Sequence, residues 1–165
     1  MTVTALPFHL RPFGSPDSEQ DYQLLHVLSN YQVPQDPVGN REWQANRRAY
    51  DQQHGKRRHY IAVHAPTKES IAYAALEQQG QDPTTFRIYL VFDPQRWSFD
   101  ELGEFLYQQL LADAHTFQAS KLVCVEYAND AAFLAFLEAH GFSRIGAAMY
   151  NGFEIVRYEQ VLTTL

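Results

Sequence analysis

Side chains alternate in two sets along residues 85–93, in an almost unbroken run of aromatic and aliphatic positions. One set is Phe86, Ile88, Leu90 and Phe92, and the other is Arg87, Tyr89 and Val91. A period of two predicts a β-strand, and large side chains in both sets predict that the strand is packed on both faces. Pro94 is expected to end it, because proline cannot donate to a ladder of strand hydrogen bonds.

A long helix is predicted directly after this strand. Ser98 followed by Glu101 is the spacing of a capping box, which marks a helix N-terminus. Apolar residues then recur at helical spacing on one stripe, at Leu102, Phe105, Leu106, Leu110, Ala114 and Phe117. The unpaired amides and positive dipole of a helix N-terminus make such a strand-to-helix junction a recurrent anion site.

The remaining pattern predicts six further strands and three further helices. The strands are expected at residues 8–13, 59–65, 70–78, 121–127, 144–150 and 153–158. The helices are expected from residue 15 or 17 to before Pro34, over 41–53, and over 129–140.

Smaller features of the pattern give local expectations. The stretch 32–40, QVPQDPVGN, is predicted to be a turn or loop, because it holds two prolines and a glycine. Tyr31 is expected on the buried face of the first helix, and Trp43 and Tyr50 on that of the second. Gly141 should cap a helix in the left-handed conformation, and Asn151 with Gly152 is a strong hairpin signal.

The predicted order βααβββαβαββ gives an α/β (α+β) class, with a mixed central sheet of about seven strands and about four flanking helices. This order resembles that of the GNAT superfamily of acyl-CoA-dependent N-acyltransferases. Three stretches carry the resemblance locally, namely FHLRPF at 8–13, YLVFDP at 89–94 and NDAAFLAFLEAHGF at 129–142. It covers nearly the whole chain and implies acetyl-CoA as co-substrate and N-acetylation of a small amine or peptide.

The resemblance also implies where the cofactor is bound. The end of the strand 85–93 would bind the pantetheine arm, and the turn into the next helix would bind the pyrophosphate. The implied contacts are Val91, Phe92, Asp93, Arg96, Trp97, Ser98, Phe99, Asp100, Glu101, Asn129, Phe133 and Phe136. Asn129 also suits a helix N-cap, and the two roles are compatible.

Two departures from the family pattern are visible. The pyrophosphate turn lacks the Gly-x-Gly or Gly-x-Ala of the family, and Gly103 lies too late in the sequence to replace it. Asp100 and Glu101 place carboxylates where a diphosphate would bind, which Arg96 is expected to offset in part. Leu137 stands where the family often has a tyrosine that protonates the thiolate of CoA.

Four residues are candidates for proton transfer by their position on the predicted strands: Glu77, Tyr89, Glu126 and Tyr127. Each has a structural alternative. Glu77 and Glu126 suit solvated charges at strand ends, and the two tyrosines suit core rings with satisfied hydroxyl groups. Two functions therefore stay open, an N-acetyltransferase and a non-catalytic GNAT-like domain that binds a ligand or partner.

Composition narrows these functions further. The 165 residues are 45% hydrophobic, which fits one domain over residues 1–165, and the net charge of −6 argues against nucleic acid and favours an amine-bearing acceptor. No apolar run reaches the ~18 residues of a membrane helix and no signal peptide is recognisable, so a cytoplasmic protein is expected. Cys124 is expected to be a buried thiol. No metal site is expected around His59 and His64. A homodimer is left open.

Overall fold

A computed structural model describes residues 6–50 and 56–163 of the chain. In this part of the chain, seven strands form one sheet and four helices pack on it. The strands are β1 Phe8–Pro12, β2 Arg57–His64, β3 Glu69–Gln78, β4 Thr85–Phe92, β5 Lys121–Tyr127, β6 Ser143–Tyr150 and β7 Phe153–Val161. The helices are α1 Ser18–Gln32, α2 Pro37–Tyr50, α3 Glu104–Thr116 and α4 Ala131–Ala139, and a π-helical turn, Phe99–Gly103, leads into α3.

The sheet has the strand order β1-β2-β3-β4-β5-β7-β6. Its neighbouring strands are antiparallel except β4 and β5, which are parallel and joined by a crossover through α3. The element order is the predicted one, so the α/β (α+β) fold class is confirmed.

The parallel pair is short. Register between β4 and β5 runs only from Thr85 opposite Lys121 to Arg87 opposite Val123. The rest of β4 keeps its ladder to β3, up to Phe92 opposite Ala72, and the rest of β5 keeps its ladder to β7. The two strands therefore separate in the middle of the sheet and leave a gap between their carboxyl ends.

Both faces of β4 are buried, as its two sets of side chains predict. The set of Phe86 and Phe92 packs in a core that also holds Leu106 of α3 and Leu137 of α4. The other set packs beneath α1 and α2, in a second cluster with Leu25, Leu28 and Tyr73. The gap between β4 and β5 thus opens between two packed layers.

The helix α2 begins four residues earlier than predicted, at Pro37. The side chain of Asp36 accepts a hydrogen bond of 3.0 Å from the amide of Gly39, and its carbonyl accepts one from Asn40. Proline suits the first position of a helix, whose amide has no partner in any case. The loop prediction is therefore wrong for residues 37–40, and the predicted helix end at 51–53 lies outside the described residues.

Two further local predictions are wrong. Tyr31 is 58% exposed, because the apolar stripe of α1 ends at Leu28. The cap of α4 is Asp130, whose carboxylate accepts the amide of Phe133 at 3.2 Å, and not Asn129. The left-handed Gly141, with φ of 86°, is confirmed.

No helix over residues 6–50 and 56–163 combines the length and the apolar character that crossing a lipid bilayer requires.

Candidate active site

A cavity of about 290 Å³ lies where β4 and β5 separate. Its walls come from these two strands, from α1 and α2, and from the hairpin of β6 and β7. Among the side chains that line it are Gln32, Trp43, Arg87, Tyr89, Glu126 and Tyr127. Three of the four predicted catalytic candidates, Tyr89, Glu126 and Tyr127, are therefore brought together in one cavity.

The backbone of β4 is accessible to hydrogen-bonding groups in this cavity. The side chain amide of Gln32 donates a 3.0 Å hydrogen bond to the carbonyl of Leu90. A strand without a neighbour leaves its backbone groups free to bind an extended ligand, which then takes the place of the missing strand. Val91 and Val125, one on each strand, face the same cavity.

Glu126 carries the most perturbed carboxyl group of the cavity. Burial, and after it the nearby Asp130, raise the pKa of Glu126 to about 8, although Arg87 acts in the opposite direction. The side chain is half-buried, and the thiol of Cys124 is 3.9 Å from its carboxylate. A carboxyl group that titrates near the working pH can accept a proton from a bound ammonium group, which an ordinary exposed glutamate does poorly.

Tyr127 connects β5 to the start of α2. Its hydroxyl donates a 2.6 Å hydrogen bond to Asp36, the residue that caps α2. Burial and this carboxylate hold the pKa of Tyr127 well above its usual value. The hydroxyl group of Tyr127 thus has the hydrogen-bond partner expected for a core ring, and the candidate role of Tyr127 in proton transfer stays a prediction.

We expect Tyr127→Phe to lower the free energy of unfolding by ~1–3 kcal/mol, because it leaves one oxygen of the buried Asp36 carboxylate without its donor. Asp36 is only 3% exposed. Tyr150→Phe is the matched control, since Tyr150 donates to the exposed Glu42 and should cost less than ~1 kcal/mol. Denaturant unfolding measures the free energy of unfolding of both variants. Equal losses would show that the hydrogen bond from Tyr127 to Asp36 stabilises the fold no more than the exposed one from Tyr150 to Glu42.

Glu77 lies beneath α2 and does not line the cavity. It is 1% exposed, forms an ion pair with Arg47 of α2, and is 3.9 Å from Arg57 of β2. Burial lowers the pKa of Arg47. The expectation of a solvated charge at a strand end is therefore wrong for Glu77, because the chain supplies buried partners from two other elements.

In the turn between β4 and α3, residues 93–98, backbone amides donate hydrogen bonds to oxygen atoms of the turn itself. The carbonyl of Asp93 accepts from Arg96 at 3.2 Å and from Trp97 at 3.1 Å, and its carboxylate accepts from Gln95 at 3.0 Å. The hydroxyl of Ser98 accepts from Glu101 at 3.2 Å, which confirms Ser98 as a cap. A diphosphate that bound here would have to displace these intramolecular bonds.

The charged side chains around this turn are either already paired or would repel a diphosphate. Arg96 pairs with Glu69 through two hydrogen bonds of 2.8 and 3.0 Å. Asp100 and Glu101 are exposed at the helix N-terminus, and Trp97 packs edge-on against Phe8 at 5.7 Å. Arg96 would therefore have to exchange one carboxylate for another anion in order to contact a cofactor.

Four of the predicted cofactor contacts form an aromatic core cluster. Phe99 packs on Phe92, Phe133 and Phe136 with ring centroids 4.9, 4.7 and 5.5 Å away, and each of the four is 8% exposed or less. A side chain at Gly103 would begin 3.0 Å from the Phe99 ring, so this glycine permits the close approach of Phe99. Asn129 is exposed at the end of β5.

The sequence patterns did not single out three residues at the site. Arg87 lines the cavity, and its signal was a charged side chain inside an otherwise apolar strand. Asp36 could have been found from Asp36-Pro37, which is the spacing of an N-cap followed by a first-turn proline. Nothing in the local pattern marks Gln32, whose contact to β4 spans 58 residues.

Solved structures of acetyltransferases share this fold. A candidate phosphinothricin N-acetyltransferase superimposes with a TM-score of 0.74 at 19% identity, covering 95% of this chain and 99% of that one. An acetyltransferase candidate from Salmonella typhimurium, solved with its cofactor acetyl-CoA, gives 0.68 at 14% identity over 95% of each chain. A mutant of spermidine N-acetyltransferase from Vibrio cholerae gives 0.68 at 14% identity over 94% of each chain.

No protein-family model matches this chain, and no curated protein matches its sequence. At identities of 14% and 19% the structural likeness shows the fold alone. The chain therefore has the GNAT fold.

Proposed function

We propose that this protein transfers an acetyl group from acetyl-CoA to a primary amine of a small molecule or peptide, by direct transfer in a ternary complex. The observation that carries the proposal is the carboxyl group of Glu126, with a pKa of about 8, in a cavity between two diverging parallel strands. The GNAT fold supports it, since a structural neighbour with this fold was solved with acetyl-CoA.

Each part of the reaction has a candidate group in the cavity. The part of β4 without register to β5, near Leu90 and Val91, together with Val125 of β5, would hold the pantetheine arm, which would replace Gln32 as the partner of the Leu90 carbonyl. Glu126 would accept one proton from the acceptor ammonium, so that the neutral amine can attack the thioester carbonyl. A carbon–nitrogen bond forms and the carbon–sulfur bond breaks. The attacking nitrogen then loses its second proton, and the departing thiolate takes up one proton to become the free thiol of CoA. Holding both substrates together in one cavity supplies most of the acceleration.

The acceptor is not decided by the fold. The named acceptors of two structural neighbours, phosphinothricin and spermidine, differ in charge and size. We therefore test the function with a panel of primary amines and detect the free thiol of CoA. Thiol release that requires both acetyl-CoA and an amine is the expected result, and no release with any amine in the panel would contradict catalysis.

A second candidate function is the binding of a ligand or partner without turnover. It is favoured by the turn 93–98, where the amides of Gln95, Arg96 and Trp97 already have partners, and by the carboxylates of Asp100 and Glu101 beside it. Binding of acetyl-CoA without thiol release would support this reading against the enzyme.

A further inference from the structure

Arg87 lines the cavity with a positive charge that has no carboxylate partner. Among residues 6–50 and 56–163 no carboxylate lies within ion-pair distance of its guanidinium, and its Nε is buried without a hydrogen-bond acceptor. The guanidinium lies over the ring of Tyr89, 4.7 Å from the centroid. The two terminal nitrogens of Arg87 are not buried and have no hydrogen-bond partner among the described residues, so they can donate to a ligand in the cavity.

The two acidic residues nearest to Arg87 do not neutralise it. Glu77 stands directly opposite Arg87 in the register of β3 and β4, but its carboxylate is paired with Arg47. Glu126 lines the same cavity, but it forms no ion pair with Arg87 in the described part of the chain. Arg47 also lies over the ring of Tyr89, at 4.3 Å, but its charge is balanced by Glu77, so Arg87 is the cation left to meet an anion in the cavity.

We propose that Arg87 binds a carboxylate of the acceptor, so that the acceptor is a zwitterion of the amino-acid type. This inference rests on the proposed function, because it assigns the acceptor's carboxylate to Arg87 and its amine to Glu126. Guanidinium groups bind carboxylates through parallel hydrogen bonds, which the two terminal nitrogens of Arg87 can supply.

The test uses matched acceptors, namely several α-amino acids and their α-carboxamides, with kcat/KM expressed per neutral amine because the carboxamide has the lower amine pKa. For the wild-type protein we expect kcat/KM to favour the acids by ~10–100-fold, the range of a charged hydrogen bond. Arg87→Met should remove this preference, chiefly through the KM of the acid. Because Arg87 also lowers the pKa of Glu126, the rate with both acceptors should fall at neutral pH, and the ratio of acid to carboxamide cancels that shared loss. Arg87→Lys keeps the charge without the fork and should retain part of the preference.

Arg48→Gln is the control, because Arg48 is exposed on α2 and pairs with Glu19 outside the cavity. It should keep the full preference for acids. Equal use of acids and carboxamides by the wild type, or an unchanged preference in Arg87→Met, would overturn the proposal while leaving the acetyltransferase function intact.

A binding measurement separates this inference from catalysis. Calorimetry with an N-acetyl amino acid and its carboxamide needs no turnover, and we expect the acid to bind the wild type at least ~10-fold more tightly than it binds Arg87→Met. Equal affinities for the two proteins would overturn the anion site. If the acid binds through Arg87 but no amine is acetylated, the proposed function fails and the anion site stands.

Discussion

Replacing Glu126 by glutamine is expected to lower kcat by ~10²–10⁴-fold, the usual contribution of a general base. Glutamine has nearly the same shape but cannot accept the proton of the ammonium group. In the wild type, kcat/KM should rise with pH up to about 8, because the pKa of Glu126 is raised to about 8 and only its ionised form is a base. Initial rates of thiol release across pH 6–9.5 measure both effects.

The same substitution has an opposite effect on stability. Because burial raises the pKa of Glu126 from its ordinary 4.5 to about 8, the folded state prefers the protonated form. Its stabilising contribution is complete below pH 4.5 and is lost as the pH rises through 8. Glu126→Gln should therefore exceed the wild type in unfolding free energy at pH 9 by ~2–4 kcal/mol, after a discount for partial exposure.

The two proteins should be equally stable at pH 4, where both side chains are neutral. Glu19→Gln is the control, since Glu19 is exposed on α1 far from the cavity. A wild-type rate that is unaffected by Glu126→Gln would remove Glu126 from the mechanism. Equal stabilities at pH 9 would show instead that its carboxyl group titrates at an ordinary pKa.

The second large effect concerns the buried ion pair beneath α2. Glu77→Gln is expected to lower the free energy of unfolding by ~3–5 kcal/mol, because it leaves the buried Arg47 without its counter-ion. Both side chains are less than 10% exposed, at 1% and 9%. Urea unfolding at pH 7 measures the loss, and Glu19→Gln, which breaks an exposed pair with Arg48, should cost far less.

A double variant sharpens this experiment. Arg47→Met together with Glu77→Gln removes both buried charges, so it should recover part of the loss seen in Glu77→Gln alone. A Glu77→Gln loss no larger than that of Glu19→Gln would contradict a buried ion pair at this position.

The element order was predictable from the sequence because the two hydrophobic periods are clear. The alternation at Phe86, Ile88 and Leu90 and the helical stripe at Leu106 and Leu110 both reflect real burial. The start of α2 was missed for a physical reason. Proline can follow the end of a helix, as Pro34 does after α1, or occupy its first position, as Pro37 does in α2. The capping side chain of Asp36 is what marks Pro37 as the start of a helix.

The site was only partly predictable, because its properties depend on long-range partners. Glu77 and Glu126 both stand near the ends of strands, yet Glu77 is paired with an arginine 30 residues away while Glu126 faces a cavity. Phe99 was assigned to the cofactor by its place in the turn, but the missing side chain of Gly103 lets it pack into the core. Local patterns contain no information on either contact.

The central claim is that acetyl-CoA binds in the gap between β4 and β5. Calorimetric titration of acetyl-CoA against the wild type, Val125→Trp and Val161→Trp tests it most directly. Val125 lines the gap and its replacement should fill it, whereas Val161 is 76% exposed at the end of β7 and is the matched control. We expect micromolar binding to the wild type and to Val161→Trp, and binding at least ~10-fold weaker, about 1.4 kcal/mol, to a folded Val125→Trp. No heat with the wild type at millimolar acetyl-CoA, or equal affinity for all three proteins, would contradict the claim.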